Sequence, residues 1–157
     1  MVRRTIATIG YEGASLENFI ATLKGARVDT LIDVREIALS RKKGFSKSAL
    51  SEAMAEHGIR YVHLRGLGDP KEGRDAARAG DIARFLRIFK QHMRSATARA
   101  ELNTATSLAQ NARICLMCFE ADHELCHRRI VADHLATDTG LKVTPLRVAV
   151  GKQRLAA

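Results

Sequence analysis

The densest chemistry in the chain lies between Arg113 and Arg129, in the run RICLMCFEADHELCHRR. A carboxylate, Glu120, closes a short apolar stretch, and Cys126, His127 and Arg128 arrive together just before an amphipathic helix. An acid, a thiol, an imidazole and a guanidinium this close together could move a proton, attack an electrophile or hold an anion. A cysteine at a helix start beside arginines loses its proton more readily than a free thiol. The helix N-terminus itself attracts negative charge through its free N–H groups and dipole. Upstream, Asp33 and Arg35 form a second pairing of acid and cation two residues apart. The bland alternative makes Cys126 a small buried residue and His127 a capping group.

Several familiar labels fail on their context. Cys115-Leu116-Met117-Cys118 is a C-x-x-C, but on a strand residues three apart point to opposite faces. The pair reads as two lone core cysteines. His123-Glu124-Leu125-Cys126-His127 matches H-E-x-x-H, which needs a helix to set both histidines on one face. Here Asp122 and Glu124 read as the loop before the helix, no glutamate follows Glu124, and Ile130 stands where the extended motif has glycine. Cys118, Cys126 and His127 could offer zinc three ligands, at a spacing that matches no recognised zinc motif. No metal set is assigned. No arginine stands where a Cys-x5-Arg phosphatase loop starting at Cys126 needs one, the positions after Arg129 being Ile130, Val131 and Ala132, and neither a P-loop nor G-x-G-x-x-G is present. The cofactor is left open.

The elements that must position these groups alternate in type. Thr5–Ile9 reads as a strand. Ser15 caps a helix with its stripe on Leu16, Phe19, Ile20 and Leu23, closing near Gly25. Thr30–Val34 is a second strand, followed by a cationic loop from Arg35 to Phe45. Ser46 caps a helix striped by Leu50, Ala53 and Met54, ending at Gly58, and Ile59–Leu64 is a third strand. Leu64–Gly80, rich in glycine with one proline, reads as a long loop. Asp81 caps a helix striped by Ile82, Phe85, Leu86, Phe89 and Met93, with Arg84, Arg87, Lys90 and Arg94 on its other face. A helix over 99–111 follows. Ile114–Phe119 lacks alternation, as an interior parallel strand buried on both faces should. The helix after Cys126 stops near Gly140, and Val143–Val150, interrupted by Pro145, reads as an edge strand.

This order predicts an α/β fold: one compact domain over residues 1–157, with about five mostly parallel strands and helices on both faces. Ligands of such sheets bind beyond the carboxyl ends of the strands. The polar residues collect on that rim: Tyr11 after the first strand, Asp33 and Arg35 at the second, Glu120 and then Cys126, His127 and Arg128 after the fourth.

Composition narrows the partners. The 157 residues carry 26 Lys and Arg against 17 Asp and Glu, a net charge of +9. That balance suits an anionic small molecule or a nucleic acid, although a solvated basic surface explains it as well. No apolar run is long enough for a bilayer and the N-terminus has no leader-like segment, so no membrane association and a cytoplasmic location are expected. Three cysteines, an odd number, point to reduced thiols rather than a disulfide framework. The oligomeric state is not legible.

The chain resembles the family called domain of unknown function 488. The matching stretches are Thr8-Ile9-Gly10-Tyr11, Asp33-Val34-Arg35, Ser40-Arg41, Phe45, Gly58-Ile59-Arg60-Tyr61, Leu67-Gly68, Cys118-Phe119-Glu120 and Cys126-His127-Arg128. The resemblance implies a compact α/β domain and adds Ser40 and Arg41 to the candidate site. Three positions depart from its pattern. Ala38 stands for a usual proline, Asp69 for a common second glycine, and Phe119 for a small residue.

The sequence therefore predicts an enzyme acting on a phosphorylated or nucleotide-like anion. Glu120 or Asp33 would be acid, base or nucleophile; Cys126 and His127 would tune the site, or Cys126 would attack. Tyr11, Arg35, Ser40, Arg41 and Arg128 would hold the ligand. The alternatives are a non-catalytic nucleic-acid module, using the Arg84/Arg87/Lys90/Arg94 face, and a thiol- or metal-dependent site at Cys126 and His127.

Overall fold

A computed structural model describes residues 4–149. Five strands form one sheet in the order β3-β2-β4-β1-β5, and every pairing is parallel. The strands are β1 (Ile6–Gly10), β2 (Thr30–Asp33), β3 (Arg60–His63), β4 (Ile114–Cys118) and β5 (Val143–Pro145). The alternation of strand and helix thus gives the expected fold. β4 is the middle strand, buried at all five positions between β2 and β1. The run ends one residue earlier than expected, because Phe119 turns outward and is 48% exposed.

Two apolar clusters cover the two faces. One holds Phe19 and Leu23 of α1 (Leu16–Gly25) with Leu50 and Met54 of α2 (Lys47–Glu56). The other gathers α4 (Ile82–His92), α5 (Ala96–Asn111) and α6 (Arg128–Thr139) through Phe85, Phe89, Ala105, Ala109, Val131 and Leu135. Cys115 belongs to the first cluster and Cys118 to the second, as period-two alternation along β4 requires.

The helix starts follow their caps. Ser15, Asp81 and Ser95 accept from the backbone N–H groups of Asn18, Arg84 and Ala98. Ser95 starts α5 three residues before the predicted start. Ser46 sits at the N-cap of α2, but its hydroxyl is tied to Ser40, accepting from Ser40 N–H at 3.0 Å and donating to its carbonyl at 3.2 Å. That bond closes the cationic loop. Gly58 and Gly140 take φ of +70° and +75° where α2 and α6 end.

Three expectations need correction. The stretch 64–80 is not a loop: it holds a 3-10 turn (Arg65–Leu67) and α3 (Lys71–Arg78). α3 buries only Gly73 and Ala76 and is otherwise charged, so it carries no apolar stripe for periodicity to find. Ile82 of α4 is 51% exposed rather than part of the buried stripe. The last strand stops at Pro145, whose missing N–H falls on the outer side of this edge strand, and Leu146 N–H still donates to Thr8 O at 2.7 Å; Val150 lies outside the described residues. No helix among the described residues is long and apolar enough to cross a membrane.

Candidate functional site

The carboxyl end of β4 and the N-terminus of α6 converge. Cys118 is the last residue of β4, and Cys126 lies two residues before Arg128, the first residue of α6. Their sulfurs are joined as a disulfide, with Cα atoms 7.5 Å apart. This corrects two expectations: Cys118 is not a lone core cysteine, and not all three thiols are free. Cys115 alone is free, buried on the other face of β4. Burial pushes its thiol well above the ordinary range.

Arg128 organises the surroundings of Cys118. Its side chain is completely buried. One guanidinium nitrogen, Nη1, lies 3.0 Å from Cys118 Sγ and also donates to the Glu120 carbonyl. The other, Nη2, donates to Ala121 O at 3.3 Å, and Nε has no hydrogen-bond partner among the described residues. Burial lowers its pKa. Glu120 Oε2 also lies close to Cys118, 3.3 Å from the sulfur. Burial pushes the Glu120 carboxyl up, and the nearby Glu12 charge adds to that. Gly10 makes the approach possible, since a Cβ there would stand 1.7 Å from the Glu120 carbonyl oxygen.

His127 is buried and neutral. Its Nε2 lies 2.7 Å from Val34 O, so Nε2 carries the proton and donates to that carbonyl. Burial pushes its pKa down to about 4. The Nδ1 lone pair then faces Cys126 Sγ at 3.7 Å. His123, the other histidine of the apparent zinc motif, sits in a 3-10 turn (His123–Leu125) and bonds Thr8 Oγ1 at 2.8 Å. The two imidazoles do not share a helix face.

Asp33 and Arg35 meet each other rather than the thiols. Arg35 Nε donates to Asp33 Oδ1 at 2.9 Å and Nη2 to Oδ2 at 2.7 Å. The Tyr61 hydroxyl also donates to Oδ2, and Arg35 Nη1 donates to the Tyr11 hydroxyl at 3.1 Å. Burial alone would lower the Arg35 pKa, but the Asp33 bonds and charge and the Tyr11 contact outweigh it, so the net shift is upward. Asp33 is fully buried and Tyr11 and Arg35 nearly so. Of the other candidates, Arg41 is exposed on its loop and Ser40 Oγ accepts from Lys42 N–H.

One group escaped the sequence reading as a site residue. Asp69 precedes α3, is buried, and has Oδ1 without a partner. Burial pushes its pKa up to about 7, opposed by Arg74 and reinforced by Glu120 and Glu36. Asp69 therefore lies within electrostatic reach of Glu120. The one available signal was its departure from a glycine in the family pattern.

A family model described as "Domain of unknown function DUF488" matches residues 15–135. The chain belongs to this family. The DUF488 match takes in the whole path from α1 into α6, and with it Asp33, Arg35, Glu120, Cys126, His127 and Arg128. Tyr11 and Gly10 lie just ahead of it. No curated protein and no solved structure matches the chain.

Proposed function

We propose that the protein is a thiol-dependent redox enzyme, with Cys118 as the attacking thiolate and Cys126 as the thiol that resolves it. The observation that carries this reading is that Cys118 Sγ has both Glu120 Oε2, at 3.3 Å, and Arg128 Nη1, at 3.0 Å, beside it. A carboxyl whose pKa burial raises accepts a thiol proton more readily than an ordinary one, and a buried guanidinium stabilises the thiolate left behind. Cys118 is 1% exposed, so the oxidant must be small, of the peroxide class. The thiolate attacks one peroxide oxygen, the O–O bond breaks, and hydroxide leaves with a proton as water. Cys118 is then a sulfenic acid, and Cys126 displaces its hydroxyl as a second water, closing the disulfide.

On this reading Asp33 and Arg35 act as structural partners, because each already satisfies the other. His127 fixes the Cys126 environment as a neutral ring. The test is mass spectrometry of the reduced protein after brief peroxide treatment. The expected product lacks two hydrogens and maps to a Cys118–Cys126 link, while Cys118→Ser gives none. Over-oxidised single cysteines with no link would remove the reading.

An anionic ligand remains a second reading, favoured by a shallow groove of about 440 Å³ beyond β2 and β3. Lys47, His63 and Arg65 line it, with the exposed Ile37 and Leu39. A phosphorylated or nucleotide-like molecule would meet these cations and apolar surface there, with Glu36 as the one carboxylate in the lining. Calorimetry with a nucleotide panel tests it: equal, negligible heats for wild type and Arg65→Ala end it. The nucleic-acid alternative keeps the α4 face, where Arg84, Arg87, Lys90 and Arg94 are all exposed. Its binding would fall steeply with salt, and failure to retard RNA or DNA at low salt removes it.

A further inference from the structure

We infer that the reduced Cys118–Cys126 pair, together with His127, is a binding site for a soft divalent cation of the Zn²⁺ class, and that metal binding and disulfide formation are alternative states of that site. The inference rests on the thiol reading in one respect: only ionised thiols coordinate a metal.

The three ligand atoms lie within 4.8 Å of one another, and all three residues are buried. They come from two pieces of chain: Cys118 from the end of β4, and the adjacent Cys126 and His127 from the entry to α6. Two sulfurs and an imidazole are a donor set that suits zinc and excludes hard cations such as Ca²⁺ or Mg²⁺.

The surroundings are those a metal ligand needs. A ligating imidazole has its second nitrogen held by a carbonyl or carboxylate, which fixes the tautomer. Here Val34 O holds Nε2 of His127 and leaves the Nδ1 lone pair toward the sulfurs. Each sulfur also receives an N–H group: Arg128 Nη1 on Cys118 at 3.0 Å and the Arg128 backbone N–H on Cys126 at 3.5 Å. Such donors spread the charge of a bound thiolate. Three protein ligands leave the fourth position of a tetrahedral ion to water or a substrate.

Charge closes the argument. A divalent ion balances the two thiolates that would bind it. In the disulfide state Arg128 is a buried cation with no carboxylate within ion-pair distance among the described residues, and unpaired buried charge is costly; a metal-bound thiolate at Cys118 would give it a negative neighbour at 3.0 Å. The backbone spacing agrees. Cα atoms 7.5 Å apart leave room for sulfurs about 3.7 Å apart around an ion with bonds of about 2.3 Å. Oxidation by peroxide would take two electrons from the bound thiolates and two protons from solvent. It would yield the disulfide, two waters and a free ion.

The test uses the full chain, reduced and then freed of reductant. Titration with Co²⁺ should give a thiolate-to-cobalt absorption band that saturates at one ion per chain, and Zn²⁺ should displace it. Zn²⁺ affinity measured against a chromophoric chelator should fall at least the roughly 10- to 100-fold that loss of a supporting contact alone costs in Cys118→Ser, Cys126→Ser and His127→Gln. Cys115→Ser should bind as wild type. Peroxide should release the ion in step with disulfide formation. The Co²⁺ spectrum needs no variant, so a misfolded substitution does not blunt the test. Absence of the band in reduced wild type overturns the metal site, even where peroxide still forms the Cys118–Cys126 link. Loss of the link with the metal band intact overturns the redox reading instead.

Discussion

Arg128 Nη1 lies 3.0 Å from Cys118 Sγ, and the arginine that carries it is 0% exposed. The sulfur is the group best placed to balance that charge. Replacing Arg128 with Met keeps much of the volume and removes the cation. The Cys118 thiol should then ionise roughly 1–3 pH units higher, read from the ultraviolet thiolate absorbance of reduced Cys126→Ser and Cys126→Ser/Arg128→Met proteins. An unmoved midpoint in folded protein would mean that Arg128 does not hold a thiolate.

The Asp33–Arg35 pair should behave as a buried ion pair. Asp33→Ala leaves Arg35 charged and almost out of water, and should cost about 3–5 kcal/mol in urea denaturation. The double substitution Asp33→Ala/Arg35→Met should recover part of that loss, because no lone charge is left. Simple additivity of the two single losses would show that the pair is not coupled.

Asp69 sets a pH dependence of the opposite sign to the usual carboxylate. Its folded pKa of about 7 lies above the ordinary value of 3.8, so the folded state holds the proton that the unfolded state has lost. Between roughly pH 4 and 7 the unfolded chain binds fewer protons, and stability falls as pH rises. Below both values the group contributes nothing. Asp69→Asn should therefore flatten thermal stability across that window and be the more stable protein at pH 8, by on the order of 2–4 kcal/mol. Parallel pH profiles for the two proteins would contradict this.

Gly10 and Gly25 should respond oppositely to alanine. A Cβ on Gly10 would stand 1.7 Å from the Glu120 carbonyl oxygen, whereas one on Gly25 meets nothing within 4 Å. Gly10→Ala must push β1 from the chain after β4, and should cost at least about 1–3 kcal/mol and disturb the Arg128 contact with Glu120. Gly25→Ala should be neutral or stabilising by up to about 1 kcal/mol. Equal melting temperatures for the two variants would refute the close approach.

Much of the fold was legible because its signals are local. The stripe on Phe19, Ile20 and Leu23, the caps at Ser15 and Asp81 and the non-alternating Ile114–Cys118 each depend on neighbours within a few residues. α3 was missed for the same reason: helices are found by their apolar stripe, and this one buries a glycine and an alanine.

The candidate site divides in the same way. Sequence by itself determined that Glu120, Cys126, His127 and Arg128 share one rim, since strand ends and helix starts of a parallel sheet lie on one side. It also determined that Cys115 and Cys118 face apart, because alternation on a strand is a property of the backbone. Only the tertiary structure decided which groups touch. It joined Cys118 to Cys126, turned Arg128 inward onto a sulfur and committed Arg35 to Asp33. It also brought Asp69, from a stretch with no apparent chemistry, within reach of Glu120. Those outcomes depend on how β4, α3 and α6 pack around the rim, and packing between distant segments leaves no period in the sequence.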